Sequence, residues 1–473
     1  MATSSSSAVA HALDRDSLIA WFEKNRTRSA QLFAMLDADT YYTRPISLRN
    51  PIVFYEGHLP AFNVIVLIKR GLGLPGVDER LERLFARGID PEDEQAASAN
   101  AASAWPTREA VLDYARAADD LMRDALRSAK IDRPGHPVLD RAEGAYTALE
   151  HEAMHQETLL YMWHRLPHAT KTAPEGSPRA SALTAADNTP PAPRIAHVPA
   201  GRTTLGASRD AGGLNPVPFG WDNEFDAHVH DVPAFDIDVY NVTNADFLRF
   251  MEAGGYDRRE LWTEDGWHWR ESQNITHPIF WERRADQAAG NSEQAWYWRG
   301  QFEYVPLPLA WPVYVSHAEA SAYAEWVGGR LPTEAEYHRA AFGTPQSGDG
   351  RGPEREYPWG DAPPDATRAN VDFERWDPVA VGSRPLGASA WGVEDLAGNG
   401  WEWTSTIFEP FPGFKPMAAY PEYSADFFDG QHYVMKGASP VTAKELVRPS
   451  FRNWFRHTYP YVYASFRCVR DPR

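Results

Sequence analysis

The chain has 473 residues, of which 47 are basic and 65 acidic, for a formal net charge of −18. This length predicts two or three domains, since domains commonly hold ~100–200 residues. The acidic balance disfavours nucleic-acid binding, because it repels phosphate backbones. No apolar run reaches ~18 residues, and the first ten residues lack a signal peptide's basic and apolar regions. A soluble, cytoplasmic protein with no membrane partner is expected.

The first 172 residues are predicted to form a bundle of helices. From Asp16 onward, apolar residues recur three and four positions apart, as on the buried face of a helix. Similar patterns cover 61–70, 77–87, 107–129 and 137–165. Helices of this length, in this number, favour an antiparallel bundle.

Residues 173–193 are predicted to be a linker, because they are rich in Pro, Ala, Ser and Thr and poor in large apolar side chains. From residue 194 to 473 the chain changes to short segments between Gly and Pro, and 15 of its 18 tryptophans lie here. Helical patterns are clear at 244–252, 317–327 and 333–342. The whole chain is therefore predicted to be α+β, with a loop-rich second domain held by buried aromatic side chains.

A pair of histidines lies within the last predicted helix of the bundle. His151 and His155 are four residues apart, so both imidazoles project from one face of the helix and can reach one ion. Two other interpretations remain open at this point. The histidines can be core residues with hydrogen-bond partners, or part of an H-E-x-x-H zinc protease motif with Glu152 as general base.

A single cysteine, Cys468, excludes an internal disulfide and a thiolate metal cluster. Any metal must therefore use histidine or carboxylate ligands.

Several short motifs carry a family resemblance. His58 precedes the string H-x3-H-x-E at His151, His155 and Glu157, and the second half contains FGWDNE at 219–224, GRLPTEAE at 329–336, YPWGD at 357–361 and DLAGNGWEW at 395–403. In this order the motifs resemble the sulfoxide synthases of ergothioneine and ovothiol biosynthesis. Such enzymes place a DinB-like helical bundle before a domain of the formylglycine-generating-enzyme type, and the resemblance spans nearly the whole chain.

The resemblance implies a non-haem Fe(II) held by His58, His151 and His155. It also implies an oxidoreductase that uses O2 to join a chalcogen to the ring carbon between the two nitrogens of hercynine, which is trimethylhistidine. Three protein ligands leave positions open for O2 and for a sulfur or selenium donor.

The resemblance also assigns residues to the substrates. Tyr420 corresponds to the catalytic tyrosine that supplies a proton or hydrogen atom, with Tyr423 as the alternative if the register differs. Asn453 and Trp454 match positions that hold hercynine, where an indole face can meet the trimethylammonium group. Met154 stands where relatives often have a glutamine that contacts this substrate.

Two departures from the family concern the chalcogen donor. Relatives that use gamma-glutamylcysteine clamp its charged ends with arginines and an Asp–Arg pair. Here residues 92–106 contain no arginine, and Phe455 and Tyr459 replace the charged pair. A clamp for carboxylates cannot be built from these residues. Aromatic rings can instead stack on a sugar, so the sequence favours the selenoneine synthases, which use a selenosugar; cysteine or a cysteine derivative is the alternative donor.

Two other classes of protein fit the sequence less well. A formylglycine-generating oxidase needs a reactive pair of cysteines, whereas this chain has Cys468 alone, in a predicted C-terminal strand. A carbohydrate- or peptide-binding module of the same fold does not account for the three histidines.

Overall fold

The computed structural model describes residues 13–86, 105–177, 180–210, 212–285, 294–345 and 354–472. The chain divides into two compact units, and each contains segments that are distant in sequence. The first unit comprises Met1–Phe33, Tyr41–Glu152 and Ala418–Tyr420. The second comprises Ala34–Thr40, Ala153–Met417 and Pro421–Arg473.

The first unit is helical, as predicted for this part of the chain. Its described α-helices are α1 (Arg15–Ala34), α2 (Ile52–Asn63), α3 (Glu79–Leu84), α4 (Arg108–Ser128) and the first half of α5 (Glu143–His164). A π-helical segment, Val64–Gly71, continues α2 without a break. The helix α5 is continuous, and its residues from Ala153 onward belong to the second unit.

The helix that carries His58 begins earlier than the sequence predicted. The predicted helical pattern starts at residue 61, but α2 begins at Ile52 and contains both His58 and Pro60. The amides of Ile52 and Val53 donate to the carbonyls of Thr43 and Tyr41, at 3.1 and 2.9 Å. Because these partners come from another segment, the start of α2 leaves no local sequence signal.

Two further predicted helices are shorter than expected. The helix predicted at 77–87 is Glu79–Leu84. The helix predicted at 137–165 is Glu143–His164, because Arg141 and Ala142 have φ values of 53° and 57° and the chain turns there.

One helical stretch, Ile52–Gly71, is long and apolar enough to cross a membrane by length and composition. However, 89% of the apolar 18-residue window within it is buried inside the protein. It is therefore a core helix of the first unit.

The second unit combines short sheets with helices, which confirms the predicted α+β class. Its further described α-helices are α6 (Asn244–Glu252), α7 (Glu264–Ser272), α8 (His317–Trp326) and α9 (Glu334–Phe342). Its described strands are β1 (Ile195–Val198), β2 (Gly201–Leu205), β3 (His228–Val232), β4 (Phe235–Asp238), β5 (Trp281–Ala285), β6 (Gln294–Arg299), β7 (Tyr304–Pro306), β8 (Gly400–Ile407), β9 (His432–Ala438), β10 (Asn453–Arg456), β11 (Ala464–Ser465) and β12 (Val469–Arg470).

These strands form four small sheets, in the orders β1-β4-β12, β10-β9-β8-β11, β2-β3 and β5-β6-β7. In the first sheet, strands from the start and the end of the unit pair on either side of β4. Phe235, Ile237 and Val469 from this sheet pack with Tyr337 and Ala341 of α9 in one buried cluster. Five tryptophans after residue 194 are less than 2% exposed, which agrees with the predicted aromatic core: Trp221, Trp298, Trp311, Trp401 and Trp403.

The segment predicted as a linker is attached to the second unit in its described part. The amide of Ser181 donates to Glu303, and the carboxylate of Asp187 accepts from Trp311 Nε1 at 2.6 Å. Residues 180–193 therefore pack as part of the second unit.

Candidate metal centre and substrate-binding residues

His58 is fully buried on α2, and a backbone carbonyl fixes its tautomer. Its Nδ1 lies 2.7 Å from the carbonyl oxygen of Phe85, which can only accept a hydrogen bond. The proton is therefore on Nδ1, and Nε2 carries a lone pair. Ligating histidines commonly have this arrangement, because the second hydrogen bond fixes the ring.

Gly57 allows this contact. A Cβ built on Gly57 would lie 2.4 Å from the ring of Phe85, closer than carbon atoms can approach. Because that ring is rigid and packed, any larger residue would displace Phe85 and its carbonyl from His58.

Phenylalanines hold two of the imidazole rings in place. Phe54, His58 and Phe62 are four residues apart on α2, so they share one face. Phe54 stacks on His58 with ring centroids 5.0 Å apart, and Phe62 stacks on His151 at 3.4 Å and an interplanar angle of 7°. Rotation of either imidazole would therefore require a phenylalanine to move.

The three histidines converge. His151 and His155 lie one turn apart on the single helix α5, and the Nε2 atoms of His58 and His151 are 3.3 Å apart. The candidate ligand atoms of all three residues lie within 4.8 Å of one another. A separation of 3.3 Å is that of two nitrogens bound ~2.1 Å from one ion at an angle of roughly 100°. The donor set therefore fits one transition-metal ion with nitrogen ligands.

Burial keeps His58 in the form that binds metal. Removal from water lowers the pKa of His58 to about 4, because the charged imidazolium is poorly solvated there. His58 is thus neutral at physiological pH, as a metal ligand must be.

The carboxylate of Glu152 is already engaged, which argues against the protease interpretation. It accepts hydrogen bonds from Arg26 Nη1 at 2.8 Å and from Ser29 Oγ at 2.7 Å, and it is 1% exposed. Burial disfavours the charge of Arg26, but the nearby carboxylates outweigh this and raise its pKa. A general base must reach a water molecule beside the metal, whereas Glu152 is tied to Arg26.

Tyr420 belongs to the same unit as His58 and His151. Its ring centroid lies 5.1 Å from that of Phe62 and 6.1 Å from that of His151, in edge-to-face arrangements. Arg70 Nη1 donates to the carbonyl of the preceding residue, Ala419, at 2.9 Å. The half-buried tyrosine thus lies beside a candidate ligand although it is 269 positions later in the sequence.

Tyr423 lies in a different environment, within the second unit. Its ring stacks on Trp221 at 3.9 Å, and its hydroxyl lies 3.4 Å from the sulfur of Met154. Trp454 packs edge-on against it at 5.2 Å. Met154 immediately precedes His155, so this tyrosine is linked to the histidine helix through Met154.

Asn453 and Trp454 begin strand β10, which is an edge strand of its sheet. Consecutive strand residues project to opposite faces, so one ligand can reach both only around the strand's edge. One face of the Trp454 indole is covered by Phe408, at 4.2 Å and 6°. Any cation must therefore meet the other face or the ring edge.

Phe455 and Tyr459 form an aromatic group with a residue that the sequence interpretation missed. The two rings stack at 4.9 Å, and Tyr161 of α5 contacts both edge-on, at 6.2 and 6.3 Å. Tyr161 follows Met154 by seven residues, which places both on one face of α5. This seven-residue spacing was the sequence signal that could have identified Tyr161. The predicted donor-site residues 92–104 lie outside the described residues.

Cys468 is fully buried next to β12. Burial raises the pKa of its thiol well above the usual range, because the thiolate would be unsolvated. It therefore lacks the exposure and the thiolate character of a reactive cysteine.

Comparisons with known proteins agree with the order of the two parts. Residues 180–472 match the family described as sulfatase-modifying factor enzyme 1-like domain, and residues 22–159 match the DinB superfamily. Hercynine oxygenase of Mycolicibacterium thermoresistibile is 40% identical over 264 residues, covering 54% of this chain and 55% of that protein. Ergothioneine biosynthesis protein 1 of Neurospora crassa is 29% identical over 505 residues, covering 92% of this chain and 56% of that protein.

The chain thus spans about half the length of the curated relatives that it matches. Among solved structures, PvdO from Pseudomonas aeruginosa covers 59% of this chain and 94% of its own, with 19% identity and a TM-score of 0.36.

Proposed function

Because the chain belongs to the sulfatase-modifying factor enzyme 1-like family, with a DinB superfamily segment before that domain, we propose that it is an Fe(II)- and O2-dependent enzyme acting on hercynine. The proposed reaction forms a carbon–selenium bond between hercynine and a selenosugar. The alternative is the sulfoxide synthase reaction with cysteine or a cysteine derivative, which the names of the relatives favour. The proposed location is the cytoplasm, where Fe(II) and the single thiol stay reduced.

The convergence of His58, His151 and His155 is the observation that carries this proposal. Three imidazole ligand atoms within 4.8 Å of one another can all bind a single ion, and a shared ion accounts for their convergence.

An Fe(II) ion bound to these three nitrogens would supply O2 activation and positions for the chalcogen donor. The protein's own groups do the rest. The hydrogen bond to the carbonyl of Phe85 would keep the lone pair of His58 Nε2 available to the ion, and the rings of Phe54 and Phe62 restrict rotation of His58 and His151.

Tyr420 is the proposed catalytic residue. Its ring packs against His151 and Phe62, so the side chain is held beside a ligand while remaining half-buried. Its phenol can supply a proton or hydrogen atom to the reacting oxygen. Tyr423 is less suited to this role, because its hydroxyl is directed at Met154.

Trp454, Asn453 and Met154 are proposed to bind hercynine. The trimethylammonium group of hercynine cannot donate a hydrogen bond, so aromatic faces and a soft thioether are suitable partners. Trp454 and Tyr423 supply such a surface, Met154 adjoins it, and the buried Trp221 packs against the Tyr423 ring.

The donor is proposed to bind over Phe455 and Tyr459, which the buried Tyr161 contacts edge-on. This aromatic group offers flat apolar surfaces and hydroxyls, which suit the C–H faces and hydroxyls of a sugar. A free amino acid or a charged dipeptide would need charged partners instead.

Anaerobic reconstitution with Fe(II), followed by O2, tests the function. Hercynine at limiting concentration is offered a selenosugar, cysteine and gamma-glutamylcysteine at equal concentrations, and mass spectrometry identifies the product. The selenosugar adduct is expected to dominate. Dominant cysteine coupling would select the alternative, and dominant dipeptide coupling would contradict the assignment of the donor site.

Matched variants test the residues. His58→Ala, His151→Ala and His155→Ala are each expected to lose bound iron and turnover. Tyr420→Phe should lower the rate by tenfold or more, or redirect the product, with hercynine affinity retained, while Tyr423→Phe should keep the rate within a fewfold. Full iron occupancy in all three histidine variants would refute the metal assignment.

A further inference from the structure

The second unit contains a cavity of about 280 Å³ that the proposed chemistry does not use. Its walls include two arginines, Arg165 and Arg299, and two tryptophans, Trp269 and Trp281. Arg165 follows His155 by ten residues, which corresponds to ~15 Å along a helix. The cavity is therefore separate from the histidines, at the other end of α5.

Among the described residues, no carboxylate pairs with either of the two arginines that line this cavity. Arg299 donates to the carbonyls of His164 and Leu166 and so caps the end of α5. Arg165 Nη1 donates to the carbonyl of Ile279 at 3.2 Å. In the described ranges, neither guanidinium has a carboxylate oxygen within 4.0 Å. Burial and the neighbouring Arg299 lower the pKa of Arg165 to about 10.

The acidic residues of the cavity wall are already engaged. Glu319 accepts from the Tyr256 hydroxyl at 2.5 Å and from the amide and hydroxyl of Ser316. Glu282 pairs with Arg284 at 3.0 Å. Arg284 balances the charge of Glu282, which leaves Arg165 and Arg299 against Glu319, so the net charge of these groups is positive.

Trp281 provides a second, independent indication of a ligand. It is 2% exposed and lines the cavity. Its indole Nε1 is buried and has no hydrogen-bond acceptor in the part of the chain that the structure describes. A buried donor without an acceptor costs about 1–3 kcal/mol, so such groups commonly mark a missing water or ligand.

We propose that this cavity binds a small organic oxyanion, a carboxylate or phosphate with a flat apolar body. The oxyanion pairs with Arg165 and Arg299 and accepts from Trp281 Nε1, and the apolar body packs on the indole rings. Arginine is suited to this because its planar donors match the oxygens of both groups.

Isothermal titration of the full-length protein with phenylacetate and with phenyl phosphate tests the site, and 2-phenylacetamide is the uncharged control. Neither iron nor hercynine is needed, so the outcome is independent of the proposed enzyme activity. Wild-type protein is expected to bind at least one anion and to bind the amide at least tenfold more weakly. The two anions distinguish a carboxylate site from a phosphate site.

Variants separate a binding site from a structural cluster. Arg165→Gln should weaken the anion at least tenfold and Trp281→Phe severalfold, while Arg258→Gln, the same change at a surface arginine paired with Glu260, should leave affinity unchanged. Without ligand, Arg165→Gln should melt no lower than wild type, because it removes a buried like-charge neighbour of Arg299. If Arg165→Gln fails to fold, Trp281→Phe carries the test. Absence of binding by both anions at millimolar concentration, or equal binding by all variants, would overturn the proposal.

Discussion

The carboxylate of Glu157 is buried, and no ion pair involves it within the described ranges. It accepts hydrogen bonds from Trp401 Nε1 at 2.6 Å, Ser439 Oγ at 2.7 Å and Thr442 Oγ1 at 2.8 Å. Burial raises its pKa, and these three donors partly offset the shift. Glu157 follows His155 by two residues in the H-x3-H-x-E string, so we interpret the last member of that string as an anchor for α5 and not as a ligand.

Replacement of Glu157 should distinguish an anchor from a ligand. Glu157→Ala leaves three buried donors without an acceptor and is expected to destabilise the protein by about 3–5 kcal/mol. Glu157→Gln keeps one carbonyl oxygen for Trp401 and should cost about 1–2 kcal/mol. Thermal unfolding and iron content measure the two effects. Stable Glu157→Gln protein that binds no iron would contradict the anchor interpretation.

His317 gives the second unit a predicted sensitivity to acid. Its ring stacks on Tyr433 at 3.8 Å, its Nε2 donates to the Thr404 carbonyl at 3.1 Å, and burial lowers its pKa to about 3. A folded-state pKa below the unfolded value of ~6.5 means that the unfolded state binds more protons between these limits. Stability should therefore fall as the pH drops below ~6.5.

Replacement of this histidine should flatten that dependence. Between pH 6.5 and 4.5 the protonation of His317 in the unfolded state should lower the free energy of unfolding by about 2–3 kcal/mol. His317→Gln should remove this pH dependence, because glutamine does not titrate. Chemical denaturation at a series of pH values measures the slope. His268→Gln, at an exposed position in α7, is the control, and an unchanged slope in His317→Gln would contradict the assignment.

At the level of single residues, the sequence revealed only part of the candidate site. The spacing of His151 and His155 predicted that both share a helix face, which α5 confirms. His58 and Tyr420 could be proposed only from the family resemblance, because no local pattern links positions so far apart. The stacking of Phe54 and Phe62 on the imidazoles was missed, although their spacing of four from His58 was visible.

The predicted bounds were most accurate for helices whose N-terminus is capped by neighbouring residues in the sequence. A capping box begins α6, α8 and α9, through Thr243 with Asp246, Ser316 with Glu319, and Thr333 with Glu336. The helix predicted at 244–252 is Asn244–Glu252. The start of α2 was missed because Thr43 and Tyr41 close its first turn from another segment. A local signal thus predicts a boundary only where the partners are local.

The capping box of α6 can be tested by removing one hydroxyl. Thr243 Oγ1 accepts from the amide of Asp246 at 3.2 Å and donates to its carboxylate at 2.6 Å. Thr243→Ala should lower the free energy of local opening of α6 by about 1–2 kcal/mol, whereas Thr243→Ser, which keeps the oxygen, should lose less than half of that. Hydrogen exchange of the amides in α6 provides the measurement. Equal effects of the two substitutions would assign the loss to the methyl group instead.

At the scale of the whole chain, the order of a DinB part and a formylglycine-generating-enzyme-like part could be recognised from motifs, and the family matches confirm it. The sheet topology could not be predicted from motifs. Strand β12 pairs with β4 across more than 230 positions, and β11 lies parallel to β8 through a two-residue contact. Such short strands carry little alternation of polar and apolar residues, so their partners follow from packing and not from local pattern.

Metal binding should be visible as a change in local stability of the intact chain. In the first unit, His58 is on α2 and His151 on α5, so an ion bound to both joins two helices that are more than 90 positions apart. Ligands that bind only the folded state suppress the openings that separate their contacts. Anaerobic Fe(II) is therefore expected to slow hydrogen exchange in Ile52–Gly71 and in Glu143–His164.

The strands β1, β4 and β12 serve as the internal control, because none of their residues is a candidate ligand, and exchange there should be unchanged by Fe(II). His155→Ala should lose most of the protection in both helices, whereas His268→Ala should keep it. If Fe(II) protected the sheet as much as the two helices, the ion would be acting on global stability or at another site. Protection of α5 alone would remove His58 from the ligand set, because an ion held only by His151 and His155 bridges one turn of one helix and does not restrain α2.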